Sequence, residues 1–404
     1  MTSLCSCFHR FRLWPIFIIG RRKLAKIDIF FTFKWLLLFG MDSVNERSEM
    51  ITKEQVLHAL SHVDDPDLKK DLVTLNMIKN VEITPSKIRF DVVLTTPACP
   101  LKGHIEHACR NAIALFVDKN IAVDINMTSR VIGSKSNQLS NIKNIILVAS
   151  GKGGVGKSTV AANLALALHA KGAKTGLLDA DIYGPSLPIM FGLEGARPKA
   201  SKTAEGKTKI EPIEKFGLKL LSIGFFTDPN QPVPWRGPMV STAVKQLFND
   251  ADWGELDYLV VDLPPGTGDV HITVAQGFPI SGAVIVTTPQ NVALADAVRG
   301  VGMFLMDSIN IPLLGVVENM AYFTPAELPD HKYYIFGKDG GKRLAERFNA
   351  PFLGEIPLVK GISDSGDNGL PVMMDDENPA AAAFLEIAGK VAQQLSIAQI
   401  ASYT

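Results

Sequence analysis

Residues 145–159, Ile-Ile-Leu-Val-Ala-Ser-Gly-Lys-Gly-Gly-Val-Gly-Lys-Ser-Thr, decide the fold of this chain. Five apolar residues, typical of a buried strand, lead into a loop with four glycines, and apolar residues then recur at helical spacing as far as Leu168. The loop matches G-x-x-x-x-G-K-[ST], a pattern that turns backbone N–H groups toward phosphate at a helix N-terminus. The sequence therefore predicts a phosphate-binding loop between a strand and a helix.

Different residues of the predicted loop are expected to contact the nucleotide phosphates and the Mg²⁺ ion. Lys157 supplies a cation to the β and γ phosphates, and the Ser158 hydroxyl is a candidate Mg²⁺ ligand. In a later glycine turn, Gly266 is predicted to bring a backbone N–H to the γ-phosphate and to sense hydrolysis. The nucleotide-binding residues predicted within the loop are Gly151, Lys152, Gly153, Gly154, Val155, Gly156, Lys157, Ser158 and Thr159.

Acidic residues close two further predicted strands. Residues 175–178 are followed by Asp179 and Asp181, and residues 258–261, Tyr-Leu-Val-Val, are followed by Asp262. Carboxylates at the carboxyl ends of parallel strands lie where open α/β sheets bind their ligands. An apolar strand closed by an acid is the Walker B pattern, which helps to hold Mg²⁺.

These motifs resemble one family of nucleotide-binding proteins. The segment 152–159, Lys-Gly-Gly-Val-Gly-Lys-Ser-Thr, resembles the deviant-Walker family that includes the septum-site ATPase MinD, the partition ATPases, the nitrogenase iron protein and the Mrp/ApbC iron–sulfur carriers. Residues 181–186, Asp-Ile-Tyr-Gly-Pro-Ser, and 262–269, Asp-Leu-Pro-Pro-Gly-Thr-Gly-Asp, resemble the Mrp/ApbC carriers specifically. The resemblance covers nearly everything from residue 50 to the end.

The resemblance implies roles for individual residues. Lys152 would reach across a homodimer to the partner's nucleotide, and Asp181 would orient or activate the attacking water, so these two residues are the catalytic candidates. Asp179 would lie close to Mg²⁺, which with Ser158 and Asp262 completes the predicted metal set. Asn319 and Pro357 would contact the adenine, although a buried asparagine can equally cap a turn.

The predicted fold is a doubly wound, mostly parallel α/β sheet that carries the phosphate loop, with a smaller α/β domain before it. Thr52 and Gln55 can form a capping box for the first helix, and residues 88–94 alternate as a half-buried strand. The predicted domain boundaries are 1–40 for a doubtful extension, 41–128 for the small domain, 129–143 for a linker and 144–404 for the ATPase domain.

Residues 1–40 differ from the rest of the chain in charge and composition. They hold seven of the 41 Lys and Arg residues and one of the 41 acidic residues, so the remaining residues carry a net charge of −6. Their apolar runs are interrupted by basic residues and are too short for a membrane span of about 20 residues. We expect translation to start at Met41 with residues 1–40 an artefact; a membrane-surface anchor is the alternative.

Of the four cysteines, Cys5 and Cys7 lie in residues 1–40, and the other two are expected to differ in their surroundings. Cys109 lies on the apolar face of a predicted helix and should be a buried hydrophobe. Cys99 precedes a helix N-terminus, where the dipole lowers the pKa of a thiol. Its segment, Thr-Thr-Pro-Ala-Cys-Pro at 95–100, resembles the small domain of cytosolic iron–sulfur assembly and phenylacetate-degradation proteins. Cys99 is therefore either a possible iron–sulfur ligand or a structural turn residue.

The chain departs from the carrier family after Asn319. Many members carry C-x-x-C there, and two such pairs supply four thiolates to a cluster between subunits. Here Pro325 and Leu328 stand in those positions. Glu327 and His331 could ligate metal, but a surface loop is the favoured interpretation.

The predicted function is an ATP- and Mg²⁺-dependent carrier or scaffold that binds a labile iron–sulfur cluster and passes it to client apoproteins as a homodimer. A MinD-like positioning ATPase and an assembly adaptor that no longer holds a cluster are the alternatives, while the missing cysteines disfavour a nitrogenase-type redox partner. The mildly acidic chain argues against nucleic acid, and the tail from residue 379, with only Lys390 as a basic residue, argues against stable membrane association. Low cysteine use predicts a cytoplasmic location.

Overall fold

The computed structural model describes residues 51–131, 133, 139–202, 206, 208–228, 237–325, 327–375 and 378–401. The prediction for residues 1–40 therefore lies outside the described residues, as does part of the predicted linker at 129–143. The boundaries between the predicted domains stay a prediction.

The first described residues fold around a small three-stranded sheet. Its elements are α1 (Lys53–Leu60), β1 (Asp64–Asp65), β2 (Lys70–Asp71), β3 (Ile78–Thr84), β4 (Lys87–Leu94), α2 (Lys102–Phe116) and β5 (Ala122–Ser129). Strand β4 lies in the centre, antiparallel to β3 and parallel to β5. The apolar faces of α1, α2 and β4 form a core of their own, in which Cys109 is fully buried as predicted.

One detail of the small domain differs from the sequence predictions. The capping box of Thr52 and Gln55 is confirmed. Helix α1 ends at Leu60, and Asp64 and Asp65 then pair with β2. Strand β3, the hairpin partner of β4, was not predicted.

The larger domain is built on an eight-stranded sheet with the order β10-β11-β7-β12-β6-β13-β14-β15. Its elements are β6 (Ile142–Ala149), α3 (Lys157–Ala170), β7 (Thr175–Asp179), α4 (Leu187–Met190), β8 (Lys199–Lys202), β9 (Thr208–Glu211), β10 (Ile213–Lys215), β11 (Leu218–Ser222), α5 (Gly237–Asn249), β12 (Leu256–Asp262), α6 (Asp269–Gly277), β13 (Gly282–Thr287), α7 (Asn291–Phe304), β14 (Leu313–Glu318), α8 (Gly340–Arg347), β15 (Phe352–Glu355), α9 (Lys360–Asp367) and α10 (Pro379–Ala401). All neighbouring strands are parallel except the edge pair β10 and β11. The doubly wound, mostly parallel sheet is therefore confirmed.

The sheet separates two apolar cores. One core packs α3 and α10 against one face, and the other packs α5 and α7 against the opposite face. Because β6 and β12 are neighbours in the centre, buried on both faces, their carboxyl ends bring the phosphate loop beside the Walker B strand. Helix α10, formed by the tail of the chain, packs its apolar face into the first of these cores.

Candidate nucleotide-binding site

The phosphate loop takes a backbone shape that only glycine allows at several positions. Gly154 and Gly156 have φ angles of 80° and 82°, which side chains other than glycine rarely adopt. A Cβ atom at Gly151 would lie 2.1 Å from the backbone carbon of Asp296 in α7. The loop therefore runs directly against α7 and ends at the first turn of α3.

Lys157 lies at the centre of a buried polar cluster. Its ammonium Nζ is 2.6 Å from Asp262 Oδ1, 3.5 Å from Asp181 Oδ2 and 3.4 Å from Ser158 Oγ. Lys157 is 6% exposed and Asp262 is 2% exposed, so this ion pair is shielded from solvent. Four residues that the sequence predicted separately thus meet at one point at the carboxyl edge of the sheet.

Asp179 lies beside this cluster and is held by three donors. Its Oδ1 accepts the backbone N–H of Asp181, and its Oδ2 accepts the Ser222 hydroxyl at 2.9 Å and the N–H of Leu187. Asp179 and Asp262 are register partners on the adjacent strands β7 and β12, which places their carboxyls side by side. Ser222 ends β11 and was missed, because that strand was not recognised in the sequence.

The electrostatics of the cluster fit a divalent cation. Burial raises the pKa of Asp179 above its ordinary value, and the neighbouring Asp262 charge raises it further. Burial also raises the pKa of Asp181, against the opposing effect of Lys157. Three carboxylates share one lysine, and hard oxygen donors with a serine hydroxyl suit Mg²⁺. Among the described residues no three His, Cys, Asp or Glu side chains are grouped so that they could hold a metal ion by themselves.

A pocket of about 380 Å³ adjoins the loop on the other side. Gly156 and Thr159 of the loop line it together with Asn319 and Pro357, the two residues predicted to contact adenine. The Asn319 amide donates to the Val155 carbonyl at 2.8 Å, and a Cβ at Gly156 would lie 2.1 Å from that amide. The pocket is large enough for a nucleobase and its sugar. Residues 358–367, which line its far wall, were missed because their sequence carries no motif.

The remaining predicted residues lie at the rim. Gly266 has a φ of 91°, and its N–H donates to the Ser150 carbonyl at 2.9 Å, so contact with a γ-phosphate requires this bond to break. Lys152 is exposed, and in the described part of the chain its side chain makes no ion pair. The ring of His271 in α6 is fully buried and neither ring nitrogen has a hydrogen-bond partner. Burial lowers the pKa of His271 to about 4 despite the smaller opposing effects of the Gly268 and Pro264 backbone.

Two family profiles match the two parts of the chain that carry these motifs. The profile of the NUBPL iron-transfer P-loop NTPase family matches residues 141–392. The chain belongs to this family. A second profile, of iron–sulfur cluster assembly proteins, matches residues 53–129, so the NUBPL-type NTPase follows an assembly-type small domain in this chain.

Relatives extend over most of the chain. The iron–sulfur cluster carrier protein of Synechocystis sp. is 46% identical over 358 residues, covering 87% of this chain and 100% of its own length. The carrier protein of Escherichia coli (strain K12) is 39% identical over 361 residues, covering 87% of this chain and 96% of its own length. The solved nucleotide-binding protein from Archaeoglobus fulgidus in complex with ADP is 36% identical with a TM-score of 0.51, covering 61% of this chain and 93% of that one. These matches support the NUBPL-type assignment and the P-loop NTPase fold.

The cysteine segment of this NUBPL-type protein corrects one prediction. Burial raises the pKa of the Cys99 thiol, and the charges of Asp67 and Asp65 add to the rise. The backbone N–H groups of Leu101 and Lys102 do lower it, as the helix N-terminus predicts, but they do not outweigh burial. The expected lowering of the Cys99 pKa is therefore wrong. Cys109 is buried and its pKa rises to about 12.

The loop after Asn319 is a surface loop, as favoured from the sequence. Phe323 and Tyr333 pair as an antiparallel bridge, and Leu328, Glu327 and His331 between them are exposed. No helix among the described residues has the length and hydropathy needed to cross a bilayer.

Proposed function

We propose that this protein is an ATP-dependent carrier that binds iron–sulfur clusters and transfers them to client apoproteins, acting as a homodimer in the cytoplasm. One observation carries the proposal: a single chain joins a buried lysine–carboxylate cluster at a phosphate loop to an assembly-type small domain with a half-buried thiol, Cys99. The relatives named as iron–sulfur cluster carriers support it. The described cysteines are free thiols, which suits a reducing compartment.

The ATPase half of the proposal assigns each buried group a role. Lys157 binds the β and γ phosphates, Asp181 orients the attacking water, and Ser158, Asp179 and Asp262 hold Mg²⁺. When bound, Mg²⁺ neutralises the charge that develops on the phosphate oxygens. Asn319 and Pro357 hold the adenine in the 380 Å³ pocket.

Turnover is expected to be slow. Lys157 is engaged with Asp262 at 2.6 Å, and the Gly266 N–H is engaged with Ser150. Both groups must change partners before they can contact a γ-phosphate. Hydrolysis that waits for such a rearrangement is typical of switch NTPases, in which a partner controls the rate.

The dimer is proposed from Lys152, which is exposed at the tip of the phosphate loop while Lys157 is buried in it. A lysine that acts across the interface predicts complementation: Lys152→Ala and Asp181→Asn should each bind ATP and lose at least about 100-fold in kcat. A mixture of the two should regain part of the activity, because some hybrid sites hold both native groups. Activity is measured as phosphate release, and oligomeric state by light scattering with ATP and Mg²⁺. A monomer under all conditions, or hydrolysis by Asp181→Asn at the native rate, contradicts the proposal.

The cargo half rests on Cys99. Two Cys99 thiolates from a dimer are fewer than the four of an ordinary cluster site, so the cluster should be labile and completed by a small thiol or by the client. The cluster is the substrate of this carrier and not a resident cofactor.

Anaerobic reconstitution with iron and sulfide tests this half directly. The full chain is used with Cys5→Ser and Cys7→Ser, so that only Cys99 and Cys109 remain. Visible absorbance and iron content should appear, survive Cys109→Ser and disappear in Cys99→Ser. If the protein hydrolyses ATP but takes up no iron, the carrier function is wrong and the adaptor function replaces it. A positioning ATPase is disfavoured because the apolar face of α10, which would have to bind the membrane, is packed into the core.

A further inference from the structure

The segment that carries Cys99 is also the place where the small domain meets the ATPase domain. Ala98, next to the cysteine, is 1% exposed and belongs to the apolar core formed by α3 and α10 rather than to the core of its own domain. Pro97 lies close to Gly172, immediately after α3. The loop is therefore anchored on the ATPase domain directly before Cys99.

Two polar contacts fix this arrangement. Thr96 Oγ1 lies 2.9 Å from the Tyr258 hydroxyl, and both residues are at most 2% exposed. The Gln393 amide in α10 donates to Asp67 Oδ1 at 2.5 Å. A buried hydroxyl pair is costly to separate unless water replaces the lost partner. The contacts thus favour one defined docking position over a loose association.

Helix α10 packs directly against the cysteine loop at Gly389. A Cβ at Gly389 would lie 3.4 Å from the Ala98 carbonyl oxygen and 3.7 Å from the Pro100 Cβ, both in the small domain. These are ordinary van der Waals separations, so the space at this position is already filled to the Cβ and a longer side chain would press into the loop.

In the docked arrangement Cys99 is half-buried and packs against the core of the small domain, and the cavity beside it is small. The cavity beside Cys99 is about 10 Å³ and is closed by Asp67, Gln393 and Ser396. That volume is at or below what a single water molecule needs. An iron ion with its ligands, or the thiol of a client protein, does not fit.

We propose that this interface is a latch: docking of the small domain on α10 and β12 restricts the access of cluster and client to the half-buried Cys99, and release of the small domain makes the thiol more accessible. The role of Cys99 rests on the proposed function, but the latch does not require iron. It makes the interface a control point for loading. The latch residues are Asp67, Thr96, Tyr258, Gly389 and Gln393.

Alkylation of Cys99 by N-ethylmaleimide, followed by mass spectrometry of the full-length protein, tests the latch. Gln393→Glu places a second carboxylate against Asp67, Gly389→Leu drives a side chain into the Ala98 loop, and Thr96→Val removes one hydroxyl. Each should accelerate Cys99 labelling about tenfold or more over the native protein, because the open state becomes more populated. Gln394→Glu, the same change one residue further along α10, should leave the rate within about twofold.

Cys109 is the internal control for folding. It should stay unreactive in every variant, and a variant in which it reacts is excluded as unfolded, leaving the decision to the other two. The latch is wrong if native Cys99 reacts as fast as it does in urea, or if the folded variants label no faster than Gln394→Glu. Because this assay contains no iron, a protein that opens as expected yet takes up no cluster contradicts the carrier function alone.

Discussion

The two chemically active ends of this protein are built to very different degrees. At the carboxyl edge of the large sheet, Lys157, Asp181 and Asp262 lie within 3.5 Å contacts in a buried cluster, and Asp179 has three donors. At the other end Cys99 forms no disulfide with the other described cysteine and lies beside a cavity of about 10 Å³. The candidate nucleotide site is assembled from residues of one chain, whereas the proposed cargo site at Cys99 would need further ligands and more room than the structure gives it.

The largest expected effect comes from removing the cation of the nucleotide site, Lys157. Lys157→Ala deletes the only lysine of the cluster and leaves Asp181 and Asp262 buried without a counter-charge. We expect ATP affinity to fall by at least about 100-fold, and the free energy of unfolding to fall by about 3–5 kcal/mol. Calorimetric titration with ATP and Mg²⁺ and denaturant unfolding measure the two effects.

Lys152→Ala is the matched control for this prediction, since it removes a lysine from the same loop that is exposed. It should bind ATP within about threefold of the native protein and should unfold normally. If Lys157→Ala also retains native affinity, the buried cluster does not bind phosphate and the contrast between the two ends fails.

A pH effect of intermediate size is expected from His271. The folded pKa is about 4 against an ordinary value of 6.5, because the ring is buried. Below pH 6.5 the unfolded chain takes up a proton that the folded protein refuses until about pH 4. As the pH is lowered from 6.5 to about 4, the free energy of unfolding should therefore fall by at most about 1.4 kcal/mol per pH unit, or about 3 kcal/mol over this window.

His271→Leu should remove that share of the pH dependence while stability above pH 7 changes little. Denaturant unfolding at several pH values measures it. His331→Leu, a change at an exposed histidine, should leave the slope unaltered. If the free energy of unfolding depends equally on pH in native protein and in His271→Leu, the imidazole is solvated. The nucleotide site would then be more open to water than the burial of His271 indicates.

The smallest effect sharpens the description of the nucleotide pocket. Asn319→Ala leaves the Val155 carbonyl without its donor and removes an amide from the base pocket, so ATP affinity should fall about tenfold. Equilibrium titrations with ATP and with GTP measure the affinities of native protein and of Asn319→Ala, and the ratio of those two affinities gives the effect of the change. Asn378→Ala, which removes a buried asparagine that caps α10, should cost stability but not affinity. Equal affinities for native protein and Asn319→Ala would reduce this residue to a structural role.

Local motifs and long-range contacts were predictable to different extents. The phosphate loop, the Asp262 strand and the capping box depend on residues a few positions apart, and all three could be found from spacing. Ser222 meets Asp179 across 43 residues and Thr96 meets Tyr258 across 162 residues, and no spacing carries that information. Cys99 shows the same division, because its helix N-terminus was visible in the sequence while the burial that raises its pKa depends on packing that the local sequence does not show.

Strand β12 has a mechanical consequence for this division. It carries Tyr258 near one end and Asp262 at the other, about 13 Å apart along the strand. Hydrogen bonds to β6 and β7 hold it on both sides, so the strand is stiff along its axis. Tyr258 and Asp262 thus lie on one stiff strand. If a bound nucleotide displaces β12 at Asp262, the same displacement would move the Tyr258 hydroxyl, which contacts Thr96 of the small domain.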